Sequence, residues 1–239
     1  MFKILAASAA IATLVLPAHA VTITQWTFNS TVPDANTATG SLLPSTGAGT
    51  ASLVGGTTAT FASGDASGGS TDPAAGDDSG WNLAGFPVQG AADKTAGAQF
   101  TVSTVGFTGV LLTWDQLQSA TASKYSFLQY TINGVNYLDA PSGLFLVAAG
   151  GAWNNTRSYD FSSVADVNNN ALFGVRIVST FRPSTTAYDP STVASTYGTA
   201  GTYRFDMVTF SATPVPEVGT LALMLAGLAA VGFVAQRRR

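Results

Sequence analysis

The sequence predicts an all-β fold, a jelly-roll-like β-sandwich, and three observations lead there. Charged residues are only 10% of the 239, while Gly, Ala, Ser and Thr abound. A disordered chain carries more charge and fewer aromatics, so this composition fits an exported β-domain with long turns. Eight to ten short runs alternate apolar and polar residues between turn signals. Between the two termini no segment shows the 3.6-residue apolar period of an amphipathic helix.

The first element is not part of that fold. MFKILAASAAIATLVLPAHA has one lysine, an apolar stretch from Ile4 to Leu16, a helix-breaking Pro17, and small residues at Ala18 and Ala20. Those are the charged, apolar and cleavage regions of a signal peptide, so residues 1–20 are expected to be cut off after Ala20 by signal peptidase. The bland reading, an uncleaved anchor, needs a longer apolar run to span a bilayer.

The ectodomain, residues 21–213, then reads as strands. Residues 22–30 alternate Ile23, Gln25 and Thr27 with Trp26 and Phe28, and stop at Pro33-Asp34. Residues 34–80 are rich in Gly, Ala, Ser, Thr and Asp, with short strands expected at 51–54 and 57–61 and a surface loop over 64–80. Strands follow at 98–107 and 109–118, divided near Gly106 to Gly109. In 126–140, Asn133-Gly134 separates two alternating runs and predicts a two-residue type I′ hairpin, with Ile132 facing Val135 and Tyr130 facing Tyr137. The runs 143–151, 157–164, 171–181 and 201–212 supply the remaining strands.

The tail, residues 214–239, carries a Pro-Glu pair, eighteen uncharged residues from Val218 to Ala235, and Arg237, Arg238 and Arg239. The apolar run approaches the roughly 20 residues of a transmembrane helix. Arginines left on the cytoplasmic side act as a stop-transfer signal. From physics alone a permanent C-terminal anchor is the simplest reading. Val215, Pro216 and Glu217, the short apolar helix and the terminal Arg cluster also resemble the PEP-CTERM sorting signal, a tail also labelled the C-terminal domain of ice-binding proteins. The resemblance implies an exosortase-type membrane protease as partner, cleavage near Pro216-Glu217, and transient inner-membrane anchoring before the chain reaches the cell surface or an exopolysaccharide matrix. One position departs from the pattern: Val218 stands where the commonest form has a second proline. Nothing in the ectodomain forms the regular Thr-x-Thr ladder that an ice-facing surface would use.

Residue types exclude much chemistry. His19 is the only histidine and lies in the signal peptide, and there is no cysteine. The mature chain therefore has no Ser-His-Asp triad, Cys-His pair, His/Cys zinc site or disulfide scaffold. Between Val21 and Thr213 twelve Asp face six basic residues, a net of −6. Such a surface repels nucleic-acid phosphates.

Three candidates remain, each with a plainer alternative. Asp77-Asp78 would suit paired-carboxylate hydrolysis, but in a Gly-rich loop a solvated turn is the simpler reading. Asp206, near Asp160 or Asp166 and the Asn168-Asn169-Asn170 run, is the candidate for a structural calcium, against pairing with Arg204 or Arg176 or facing water. Trp153, flanked by Gly and Asn, is the candidate for stacking on a sugar ring, against covering one end of the sandwich. Trp26 and Trp114 read as core; Trp81 is open.

The body also resembles a group of PEP-CTERM proteins, through the stretches 100–137, 160–181 and 197–210. That resemblance implies a lectin-like or galactose-binding-like sandwich and brings no catalytic residues. Two functions follow as expectations. The first is an exported, non-enzymatic surface or matrix protein with polysaccharide as its ligand class; the alternative is an Asp-dependent secreted hydrolase acting on polysaccharide.

Overall fold

The protein's structure is a computed structural model and describes residues 19–74, 76–215 and 218–237. Among these, twelve strands form: β1 (Val21–Trp26), β2 (Thr46–Gly47), β3 (Thr50–Val54), β4 (Thr58–Ser63), β5 (Ser79–Ala84), β6 (Gly97–Thr101), β7 (Phe107–Gln118), β8 (Tyr125–Thr131), β9 (Leu138–Leu146), β10 (Trp153–Asp160), β11 (Gly174–Thr180) and β12 (Tyr203–Pro214). A helix, α1 (Val218–Arg237), closes the chain.

The strands make two antiparallel sheets. One runs β10-β7-β12-β1-β2 and is extended by β5, which pairs with β12 and β4; the other runs β3-β6-β11-β8-β9. β12 is long enough to pair with β5 through Tyr203–Phe205 and with β1 through Val208–Ala212 on one side, while β7 follows its other side. From β5 onward the chain changes sheet at nearly every strand, so its alternating sequences each present one face to the space between the sheets.

That space is filled by aromatics. Trp26 of β1 meets Phe100 of β6 at 5.3 Å between ring centroids, Trp114 of β7 meets Phe145 of β9 at 4.8 Å, and Phe173 meets Phe210 of β12 at 5.9 Å. Trp26, Trp81 and Trp114 are all buried. The core expectation for Trp26 and Trp114 holds, and Trp81 joins them. With no disulfide to draw on, this aromatic core carries the stability.

The Asn133-Gly134 hairpin is corrected. Tyr130 pairs with Leu138, not Tyr137, and Ile132 and Val135 lie in a longer loop. Gly134 has φ +75°, but Asn133 does not join it in the left-handed region that a type I′ turn requires at both positions. Instead the Asn133 Oδ1 accepts from the backbone N–H of Val135 (3.0 Å) and Asn136 (2.8 Å), so the side chain builds the turn itself.

α1, 20 residues long, stands where the sequence places a membrane helix. Among the described residues no helix is long and apolar enough to cross a membrane. Ala18, Pro216, Glu217, Arg238 and Arg239 lie outside the described residues; Ala20 and Val215 are exposed, and Arg237 ends α1.

Candidate functional site

Two places bring functional side chains together. The first lies where the 64–78 loop folds back onto β12. One carboxylate oxygen from each of Asp72, Asp78 and Asp206 falls within 4.8 Å of the others. Asp78 and Asp206 are fully buried. Each carboxylate is oriented by a bond to one of its oxygens or to both. Asp72 accepts from Asn29 Nδ2 (2.9 Å) and from the Ala74 N–H (2.9 Å), Asp78 from the Ser70 hydroxyl (3.0 Å), and Asp206 Oδ1 from the Met207 N–H (2.7 Å). Asp78 Oδ1 and Asp206 Oδ2 have no partner, unless one carboxyl carries a proton and donates it to the other. Burial first, then the neighbouring Asp78, pushes Asp206 well above the usual carboxylate range, and burial likewise raises Asp78.

The loop reaches this position because the sheet holds it at several points. Asp115 of β7, the cross-strand neighbour of Asp206, accepts from the Thr71 N–H and hydroxyl, both at 2.6 Å. Asn155 and Trp153 of β10 donate to the Gly69 and Ala66 carbonyls at 3.0 and 2.9 Å. Gly64 is a required glycine, since a Cβ there would overlap the Asp78 carboxylate. At the bulge after Asp206, Met207 takes φ +47°, a strained conformation for a side-chain-bearing residue.

The expected environments of the candidates change accordingly. Asp206 joins Asp72 and Asp78, not Asp160 or Asp166. The Asn168 and Asn169 side chains accept from the Gly109 and Gly106 N–H groups and shape a loop elsewhere. Asp78 is no solvated turn residue: the loop buries it at the start of β5. Trp153 lies on strand β10 and not in an exposed loop; its indole is half-buried, with the N–H bonded to Ala66.

The second place is the outer face of the five-stranded sheet. Residues directly opposite across strands share a face. The pairings Ser52↔Gln99, Gln99↔Arg176, Arg176↔Gln129 and Gln129↔Asp139 therefore lay a polar row across all five strands. Arg176 sits over the Tyr137 ring at 3.6 Å, and Lys94 over the Phe127 ring at 3.8 Å. Arg176 Nε donates to Gln99 Oε1 (2.8 Å) and Gln129 Nε2 to Asp139 Oδ1 (3.0 Å), while Lys94 pairs with Asp139. Among the described residues Gln99 Nε2, the Arg176 Nη groups and Gln129 Oε1 make no well-aligned side-chain bond, and the buried Tyr137 hydroxyl lies against the Arg176 guanidinium without one. Burial raises the Tyr137 pKa, with Arg176 opposing it. Along the strands the row is bordered by Gly97 beside the buried Val178 on one side, and by Gly174 beside Thr101 and the Tyr137 hydroxyl on the other.

Sequence reading missed this row because its residues are scattered one per strand. Only the register, set by apolar neighbours such as Phe100, Val175 and Leu128 on the inner face, aligns them.

No family model and no curated protein matches the sequence. Several solved structures are similar at low level, among them these three. The CBM22-1 xylan-binding domain of Xyn10C from Paenibacillus barcinonensis has a TM-score of 0.39 and 10% identity, covering 70% of this chain and 87% of that one. The K1 cleaved adhesin domain of Lys-gingipain from Porphyromonas gingivalis W83 has a TM-score of 0.37 and 12% identity, covering 70% and 99%. The enzymatically active domain of tailspike protein 4 from bacteriophage CBA120 has a TM-score of 0.34 and 13% identity, covering 77% of this chain and 21% of that one. The fold of this chain rests on its own strand pairing.

Proposed function

We propose that residues 21–213 form an exported, non-enzymatic carbohydrate-binding sandwich of jelly-roll type, which the C-terminal tail delivers to the membrane and then releases. The jelly-roll reading is supported by strand order: β5-β12-β7-β10 faces β6-β11-β8-β9, the two four-strand sheets of that fold.

The observation that carries the binding reading is the polar row Gln99-Arg176-Gln129-Asp139 with its uncommitted amide and guanidinium groups between two aromatic rings. Sugar hydroxyls are both donors and acceptors and match such a row, while the apolar faces of pyranose rings pack against aromatics. The exposed Asp139 is held below its usual pKa: burial opposes this, and the Lys94 and Gln129 hydrogen bonds with the Lys94 charge outweigh it. It is ionised at neutral pH and available only as an acceptor. Asp78 and Asp206 suit glycoside hydrolysis poorly, because two fully buried carboxyls in near contact leave no place for a sugar between them.

The tail reading is supported by α1, where Leu228, Val231, Phe233 and Val234 are exposed just before Arg237. Exposed apolar side chains of that size call for a lipid or protein cover. A membrane seat followed by cleavage beside Pro216-Glu217 would supply it and then dispense with it, with an exosortase-type protease as partner.

Polysaccharide pull-down and glycan-array titration of the exported protein test the binding reading. Saturable binding without product release is expected. Arg176→Ala should weaken Kd at least about tenfold, since a hydrogen bond to a charged group contributes about 1.5–3 kcal/mol. Shortened glycans whose appearance a single Asp→Asn change abolishes would replace binding with hydrolysis.

A further inference from the structure

We propose that Asp72, Asp78 and Asp206 hold a calcium ion that fastens the 64–78 loop to β12. Three carboxylate oxygens within 4.8 Å of one another can all reach one cation, because Ca²⁺ takes its oxygen ligands at about 2.3–2.6 Å. Clustered acids alone would not justify an ion. The second observation is that Asp206 Oδ2 and Asp78 Oδ1 are buried and, among the described residues, accept from no N–H or hydroxyl, so that only a proton shared between the two carboxyls or a cation satisfies them; Asp206 is fully inaccessible. Among the described residues the ion pairs are Lys94–Asp139 and Arg182–Asp189, so no cationic side chain pairs with any of the three. Buried carboxylates persist when paired or bound to a metal.

The other bonds of the cluster suit a ligand set. Asn29, Ala74 and the Ser70 hydroxyl bond Asp72 and Asp78, while the Met207 N–H holds Asp206 Oδ1, so each carboxylate is fixed by its neighbours. An all-oxygen site in an ectodomain without His or Cys selects a hard cation. Burial favours calcium over magnesium, which gives up its waters reluctantly. Asp72, only partly buried, gives the ion its way in. Bound there, calcium joins two residues of an otherwise Gly-rich loop to the last strand of the sandwich. The site is independent of the sugar-binding face, which lies on the other sheet.

The test is thermal unfolding and calcium titration calorimetry of the full-length chain, with EDTA and magnesium as comparisons. One calcium per chain is expected, and calcium at about a hundred times Kd should raise Tm by roughly 5–10 °C over EDTA. Asp206→Asn and Gly64→Ala, the latter displacing Asp78, should lose both responses, and Asp166→Asn should keep them. If the first two variants fail to fold, the unmodified chain still decides: calcium should slow proteolysis within residues 64–78 at least about tenfold against EDTA. Equal Tm and equal cleavage in calcium and EDTA overturn the proposal and leave a proton shared between Asp78 and Asp206. Calcium binding that survives Asp206→Asn overturns it as well.

Discussion

Gly97 shows how much one hydrogen atom can decide. It lies on β6 between β3 and β11, opposite Val178, and a Cβ there would overlap the Ile177 carbonyl. The requirement is close backbone approach and not a left-handed φ, so even alanine must push β11 away. Gly97→Ala is expected to cost about 1–3 kcal/mol, the range for forcing an extra methyl into a packed site. Urea unfolding checks this, and a change under about 0.5 kcal/mol, the usual surface value, would show that the strands part freely. The residue has a second consequence, since the same missing side chain leaves room for Val178, fully buried beside it at the edge of the Gln99-Arg176-Gln129 row. Neither role is readable from a Gly among Ala, Thr and Gln; both appear only when the register sets Gly97 beside Val178.

At the scale of elements, alternation located the long strands and failed at their ends. Trp26 and Phe28, and Val110 and Leu112, are buried as the period of two demands, whereas Phe205 and Phe210, five residues apart, both reach the core because of the bulge after Asp206. β2 has two residues and no pattern at all. The turn after β8 departs from the type I′ expectation for a physical reason: Asn-Gly suits such a turn, but Asn133 Oδ1 can also accept from its own downstream backbone, and here that local bond wins. Asn133→Ala should therefore destabilise by about 0.5–1.5 kcal/mol through loss of those bonds, while Asn133→Asp, which keeps the acceptor, should stay near the parent. Chemical denaturation distinguishes the pair. An alanine variant as stable as the aspartate would mean that Gly134 alone sets the turn. The acidic site is legible only in part: the sequence points to Asp206 as a calcium candidate and to Asp78 as half of a carboxylate pair, but nothing in it joins the two or adds Asp72, since both partners of Asp206 lie in a loop whose composition reads as solvated. Nothing local announces that Asp115, Asn155 and Trp153 hold that loop against the sheet.

For the whole molecule, stability and recognition are assigned to different places and should separate by mutation. Phe100 stands between the sheets and touches Trp26, Phe28, Trp81 and Phe205 with ring centroids 5.3 to 6.5 Å apart. It is fully buried, and with no disulfide the two sheets depend on such contacts. Phe100→Ala removes the ring from the middle of that cluster and is expected to cost about 3–5 kcal/mol, lowering Tm by roughly 6–20 °C for a domain of this size. Arg176→Ala, on the outer face, removes a hydrogen bond to Gln99 and a stack on Tyr137 but no core atom. Its Tm should stay within about 3 °C of the parent, since the partly buried Arg176 gives up one hydrogen bond worth about 1 kcal/mol while the core stays intact. Differential scanning calorimetry on the two variants, run beside the glycan titration, gives opposite patterns if the assignment is right: one loses stability and keeps its ligand below Tm, the other keeps stability and loses its ligand. A large Tm loss in Arg176→Ala would make the polar row part of the structural framework, and weaker glycan binding by that variant would then report a disturbed fold.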